Sequence, residues 1–335
     1  MMLKGGPRTQ ILQMKSELER LSVNVTLFDS WNNFERAKYD LVHLFGANIG
    51  TYHLARELHK LGIPLVVSPI FFSLHSSRYL RTALAFDSLV RNVYKGFWID
   101  YRFLRDICHW SHAVVPNTLK ESQLLIDGIG IAPEKTTVVP NGVDERFSHA
   151  DKSLFMQTYG MDNFILNVGH IGPARKNVLT LIKVLAGLDL PVVLIGRIEN
   201  NIAGKRCLEE AKKNPRLLVL DSIPNDSPML ASAYAASDVF VLPSLFETPG
   251  IAALEAALAG SKIVITKYGG TEEYFGEFAE YIDPKSPSDI RRGIEIATGK
   301  KKTNDLSALI RRDFLWDEVA RKTLNVYQQV LSQKK

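Results

Sequence analysis

Short, β-branched runs that are apolar on every side recur along this chain, with amphipathic stretches between them, and that recurrence constrains the fold more than any other feature. A first group comprises "VNVTLF" (23–28), "YDLVHLF" (39–45), "IPLVVSPIF" (63–71), "HAVVPN" (112–117) and "KTTVVPN" (135–141). A polar stretch, "DERFSHADKSLFMQTYGMD" (144–162), reads as a linker. A second group follows: "NFILNVG" (163–169), "LPVVLIG" (190–196), "RLLVLDS" (216–222), "DVFVLPS" (238–244) and "KIVITKY" (262–268). Uniformly apolar runs suit strands covered on both faces, and strands alternating with helices make parallel sheets. The pattern predicts two doubly wound α/β domains, with ligands held beyond the carboxyl ends of the strands, in the cleft between the domains.

Length and composition agree with this: 335 residues suffice for two domains, and 46% hydrophobic with 23% charged residues is ordinary for a globular chain. Cys108 and Cys207 are too far apart to suggest a disulfide framework or a metal site, and read as small buried hydrophobes in a reducing compartment. The longest apolar run, "IPLVVSPIFF", is about half a membrane span, and "MMLKGGPRTQ" lacks the apolar core of a signal peptide. The expected location is cytoplasmic. Basic residues are spread along the chain under a net charge of +5, which argues against a nucleic-acid partner. "GKKKTND" (299–305) reads as a solvated loop.

The first domain departs from the plan. Such a domain opens with a central strand followed by a glycine-rich turn, yet Gly5 and Gly6 arrive with no room for that strand. The first strand is therefore expected to be missing, which would leave unpaired sheet edges.

"FETPGIAALEAALAG" (246–260) is an Ala-rich helix with one carboxylate in its middle. Thr248 is a candidate N-cap, Pro249 the first helical residue, and Gly260 the C-terminal stop. A helix this apolar is buried on most of its circumference, so Glu255 needs donors. It lies too deep for the helix dipole to help, and the vicinal hydroxyls of a ligand would serve. Glu247 stands eight residues earlier, beside the N–H groups of Gly250 and Ile251, which favour an anion.

"SDVFVLPSLFETPGIAALEAALAGSKIVIT" (237–266) resembles the signature of the retaining, metal-independent nucleotide-sugar glycosyltransferases of family 4, which have the GT-B fold. Other blocks fall in that family's order: "SHAVVPNTLKESQLL", "APEKTTVVPNGVDERF", "NVGHIGPARKNVLTLI", "YGGTEEYF" and "FLWDEVARKTLNVYQQVL". The resemblance is close over about 110–330 and loose before that. It implies an N-terminal Rossmann-like domain over 1–155, rejoined by a helix over 318–335, and a nucleotide-sugar domain over 156–317. Glu247 would bind the donor sugar and Glu255 the nucleotide ribose. Lys176 would meet the diphosphate, with Arg175 as candidate second cation and Gly169 and His170 in the same loop. His170 stands where relatives commonly have an arginine. Gly5 and Gly6 would let the backbone approach the diphosphate. Many relatives carry a histidine after the strand matching "IPLVVS"; here Pro69 and Ile70 occupy that place, and His75 is the nearest histidine.

The implied reaction moves a sugar from a nucleoside diphosphate to a hydroxyl of a saccharide or lipid-linked acceptor, in surface polysaccharide synthesis, with no metal or other cofactor. A non-catalytic nucleotide-sugar-binding protein, or an epimerase or phosphorylase of the same architecture, are the alternatives. The segment 72–108 interleaves Arg78, Arg81, Arg91, Lys95, Arg102 and Arg105 with Tyr79, Phe86, Tyr94, Phe97, Trp98, Tyr101 and Phe103. That mixture suits peripheral contact with an anionic membrane at its inner face.

Overall fold

The computed structural model describes residues 6–94 and 98–333. Internal contacts divide the chain into two units: Met1–Asn141 with Trp316–Lys335, and Gly142–Leu315.

The first unit runs α1 (Gly6–Arg20), β1 (Val42–Phe45), α2 (Ile49–Lys60), β2 (Leu65–Ser68), α3 (Ser77–Val93) and α4 (Asp100–Trp110). It continues with β3 (Ala113–Val114) and the short α5 (Leu119–Gln123), and α14 (Trp316–Ser332) packs on α1. The sheet has three parallel strands in the order β1-β2-β3. Strand periodicity sends Leu65 and Val67 into a core with Leu80, Leu104 and Ile107, and Val66 into another with Leu18, Trp316 and Val330. Half-buried His43 ties the layers together, its Nδ1 hydrogen-bonded to Tyr327 Oη at 2.7 Å and its Nε2 to Ser68 Oγ at 3.0 Å. Burial pushes its pKa down to about 3, so the ring stays neutral.

Two of the five expected strands fail here. "VNVTLF" forms no ladder: Val23 and Val25 pack partly against the α14 side, while Leu27 and Phe28 are exposed. β1 pairs with β2 alone among the described residues. The run 135–141 makes a single bridge, Val114 to Thr136, plus hydrogen bonds from the Thr137 and Val139 N–H groups to Val114 and Pro116.

The second unit carries six parallel strands: β4 (Phe164–Val168), β5 (Val192–Ile195), β6 (Leu217–Leu220), β7 (Ser237–Leu242), β8 (Lys262–Thr266) and β9 (Ala279–Ile282). Their order is β6-β5-β4-β7-β8-β9. All five expected runs form strands. β9, "AEYI", is a sixth, too short and polar to stand out in the sequence. The helices are α6 (Ser153–Tyr159), α7 (Val178–Leu185), α8 (Ile202–Ala211), α9 (Pro228–Ala236), α10 (Ile251–Leu258), α11 (Thr271–Phe275), α12 (Pro287–Gly299) and α13 (Asp305–Asp313). One core lies on the α9, α10 side and another on the α7, α12 side. The stretch expected as a linker is instead packed structure. Phe147 and Phe155 are buried in the α9, α10 core, and α6 packs on α9. The two cysteines are buried and unpaired.

Candidate donor site

The site grows from the carboxyl ends of β4 and β7, neighbours in the sheet. After β4 the chain makes one 3₁₀ turn over Ala174–Lys176, then Asn177 in the left-handed region at φ 56°. That conformation is accessible to asparagine, and here the side chain holds it. Asn177 Nδ2 donates to the carbonyls of Pro243, at 3.2 Å, and Pro284, at 2.7 Å. The Leu245 N–H donates to the Arg175 carbonyl at 2.8 Å. The loop after β4 is thereby strapped to the loop after β7.

That strap brings three expected residues together. Lys176 Nζ donates to Glu247 Oε1 at 2.6 Å, and Arg175 Nη1 reaches the same oxygen at 3.3 Å and the Phe246 carbonyl at 3.1 Å. Glu247 is buried, and burial alone would raise its pKa. The charges of Lys176 and Arg175 outweigh that cost and hold the carboxyl below its ordinary value. Two cations facing one carboxylate leave a surplus positive charge on a partly exposed surface. An ammonium has three donors, so Lys176 can keep Glu247 and still meet an anion.

The backbone of Glu247 is fixed too. Its N–H donates to the Tyr268 carbonyl at 3.1 Å, and its own carbonyl accepts from Gly270 N–H at 3.0 Å. A Cβ at Gly269, which sits at φ +110°, would lie 1.7 Å from the Glu247 carbonyl oxygen. Only glycine admits that approach.

The start of α10 corrects the sequence reading. Gly250, at φ +80°, is the N-cap and Ile251 the first helical residue, so Thr248 and Pro249 lie in the preceding bend. The reason is steric: a Cβ on Gly250 would press on Leu242, and the positive φ turns the chain into the helix there. No side chain caps the helix, leaving its first N–H groups without an acceptor from the cap. Gly260, at φ +90°, closes α10 as expected.

Glu255 is buried, 4% exposed, but a ligand is not its source of donors. Tyr234 Oη donates to Oε2 at 2.8 Å, and Asn225 Nδ2 to Oε1 at 2.7 Å. The expectation that ligand hydroxyls supply its donors is therefore corrected: α9 and the loop before it supply one donor to each oxygen. Desolvation still dominates, pushing the carboxyl up to about 7 against Tyr234, Asn225 and the charge of Arg146. None of the three was singled out from sequence; the available signal was a tyrosine inside an Ala-rich buried helix, whose hydroxyl needs a partner.

The remaining candidates divide. Gly169 continues the β4 ladder, its N–H donating to the Ile195 carbonyl, and a Cβ there would meet nothing within 4 Å. Its neighbour Gly196 is the tight position, where a Cβ would lie 1.7 Å from the Gly169 carbonyl oxygen. His170 is half-buried beside that open space. Gly6 is the exposed first residue of α1 in the other unit, and Gly5, like Lys95 and Phe97, lies outside the described residues. His75 is exposed and stacks on Tyr79 at 4.2 Å. Ile70, which with Pro69 occupies the place where the resemblance implies a histidine, has φ 53°, a strained setting for a β-branched residue. Glu121 braces that turn, its Oε1 accepting the Phe71 N–H at 2.7 Å and its Oε2 the Asn117 N–H at 2.8 Å.

Known proteins resemble the chain over both units. A family model described as Glycosyltransferase Family 4 matches residues 6–147, and one described as Glycosyl transferases group 1 matches residues 154–308. The D-inositol 3-phosphate glycosyltransferase of Geodermatophilus obscurus is 29% identical over 234 residues, 64% of this chain and 52% of that protein, so the match spans about half of that relative. The MMP α-(1→4)-mannosyltransferase of Mycolicibacterium hassiacum is 25% identical over 316 residues, covering 89% of this chain and 72% of that protein. Among solved structures, HepE from Anabaena, in complex with UDP and glucose, superposes with a TM-score of 0.68 at 17% identity, covering 99% of this chain and 96% of HepE. The two parallel-sheet units are those of the GT-B class. With a family model matching each unit and the Lys176–Glu247 pair at the head of the Ala-rich helix, the chain belongs to the family 4, group 1 glycosyltransferases.

Proposed function

We propose that the protein transfers a sugar from a nucleoside diphosphate sugar to a hydroxyl group of a saccharide or lipid-linked saccharide, with retention at the anomeric carbon. The observation that carries this reading is the convergence of Lys176 and Arg175 on Glu247 beside the uncapped start of α10. The leaving diphosphate gathers negative charge as the glycosidic bond breaks, and that charge is the main electrostatic demand of the step. Lys176, Arg175 and the first N–H groups of α10 meet it, and no metal ion is assigned a part. Glu247 holds the sugar hydroxyls and Glu255 the ribose hydroxyls. The acceptor hydroxyl attacks from the face the diphosphate leaves; its oxygen bonds to the anomeric carbon, and its proton passes to the departing phosphate oxygen. The protein contributes positioning and charge stabilisation rather than a covalent nucleophile.

The relatives support this reading. Two are named as glycosyltransferases, and HepE was solved with UDP and glucose.

A peripheral membrane role in surface polysaccharide synthesis belongs to the same proposal. No helix among the described residues is long and apolar enough to cross a membrane. Contact would instead be made by α3, whose outer face exposes Tyr79, Phe86 and Leu89 among Arg78, Arg81 and Arg91. The one carboxylate of α3, Asp87, points inward and pairs with Arg102 at 3.0 Å, so it does not offset that positive face.

A thermal-shift screen across UDP, GDP, dTDP and ADP sugars, followed by product analysis with saccharide acceptors, tests the function. A stabilising donor that yields a glycoside retaining its anomeric configuration supports it. Binding with neither transfer nor hydrolysis under any acceptor would leave a nucleotide-sugar-binding protein instead.

A further inference from the structure

The residues that hold Glu255 form a directed chain rather than a loose cluster. Arg146 lies in the 3₁₀ segment Glu145–His149, and its guanidinium Nη2 donates both to the Asn225 carbonyl and, at 2.9 Å, to Asn225 Oδ1. Because Oδ1 is taken, the amide has one orientation: Nδ2 faces Glu255 Oε1. Arg146 is itself placed by Asp144, at 3.5 Å, and by the Phe147 ring, 4.6 Å from its Cζ. On the other side Tyr234 takes Oε2.

A carboxylate oxygen can accept two hydrogen bonds. With Asn225 on one oxygen and Tyr234 on the other, each oxygen keeps one further acceptor position. That arrangement matches two neighbouring hydroxyls, such as the cis-diol of a ribonucleoside. We propose that Asn225, oriented by Arg146, is a positioning residue for the nucleotide: it holds the Glu255 carboxylate in the rotamer that presents one free acceptor on each oxygen to the ribose diol. The inference rests on the proposed role of Glu255, and adds residues whose own atoms need not touch the reacting centre.

The groups facing the Glu255 carboxyl are Tyr234 from α9, Asn225 from the loop before it, and Arg146 with Asp144 from the segment after the unit boundary. Tyr234, Asn225 and Arg146 favour the ionised form, while Asp144 opposes it. Asn225→Asp keeps the side chain's size but replaces its donor with a carboxylate aimed at Glu255. Arg146→Gln frees the Asn225 amide and removes a positive charge.

UDP, GDP, ADP and dTDP binding to the full chain, measured by calorimetry from about pH 5.5 to about pH 8.5, tests the proposal. For whichever diphosphate binds the wild type, affinity should rise with pH as Glu255 ionises. Asn225→Asp should weaken it roughly tenfold or more at neutral pH and move the midpoint of the profile upward by about one pH unit or more. Arg146→Gln should act in the same direction, and serves as the second variant if the first does not fold. A purely structural role would lower the melting temperature and leave the midpoint in place. Wild-type binding with unchanged affinity and midpoint in a folded variant would overturn the role of Asn225 while leaving the functional reading standing. Binding of dTDP alone, whose deoxyribose lacks the diol, would defeat this inference and leave the functional reading standing, and absence of binding by the wild type to all four diphosphates would defeat both.

Discussion

Lys176 Nζ lies 2.6 Å from Glu247 Oε1, although the two residues are 71 positions apart and sit on loops leaving different strands. The contact joins the cation proposed for the diphosphate to the acid proposed for the sugar. Glu247→Gln should keep this geometry, because the amide oxygen can still accept from Lys176. Its expected outcome is a folded protein with transfer reduced about 10²–10³-fold, measured as initial rate at saturating donor. Lys176→Met should lower the rate by a comparable factor. It should also destabilise the fold by about 1–3 kcal/mol in urea titration, since Glu247 stays buried with Arg175 alone.

Glu255 makes fold stability depend on pH with an unusual sign. Between 4.5 and about 7 the folded chain holds a proton on this carboxyl that the unfolded chain has released. Stability therefore falls as pH rises through that window and levels off above it, by at most roughly 3 kcal/mol from this group. Urea midpoints at about pH 5 and about pH 8 should show that loss in the wild type and a smaller one in Glu255→Gln. Glu247 acts in the opposite sense: its carboxyl is held low, so its contribution is present above the ordinary value of 4.5 and fades as pH falls through the lowered one.

Two glycines separate folding from binding. Gly269→Ala would set a methyl 1.7 Å from the Glu247 carbonyl oxygen at a positive φ, so a fall in stability of about 2 kcal/mol or more, with loss of transfer, is expected in thermal melts. Gly169→Ala meets nothing within 4 Å. It should leave the melting temperature within about a degree of the wild type while weakening nucleoside diphosphate binding several-fold, because the methyl enters the space the proposal gives to the donor.

The α3 face can be tested without touching either core. Phe86 is 62% and Leu89 67% exposed, so Phe86→Ser with Leu89→Ser should not lower stability. Co-sedimentation with vesicles rich in anionic lipid should fall several-fold in the double variant and in the wild type at high salt. Equal sedimentation with neutral and anionic vesicles would remove the membrane part of the proposal.

Much of the second unit is legible in its residues. Strands buried on both faces demand continuous apolar runs, and all five expected runs form ladders. The spacing of Glu247 and Glu255 across the start of an Ala-rich helix also survives in three dimensions. The first unit is less legible because ladder formation needs a neighbour as well as a propensity: "VNVTLF" is a good strand sequence that joins no sheet among the described residues. The stretch 144–162 misled for a different reason. Its polar composition conceals Phe147 and Phe155, which only a packed core reveals as anchors.

The sequence alone determined the parallel α/β architecture and the glycine that ends α10, because periodicity and local backbone chemistry are written residue by residue, while the candidate cations Lys176 and Arg175 came from its family resemblance. The tertiary structure decided what those groups meet. It put Lys176 on Glu247, made Gly250 rather than Thr248 the helix cap, and supplied Glu255 with Tyr234 and Asn225 from elsewhere in the chain. Such pairings join residues 21 to 71 positions apart, and their geometry depends on strand order and on how side chains fill the space between layers.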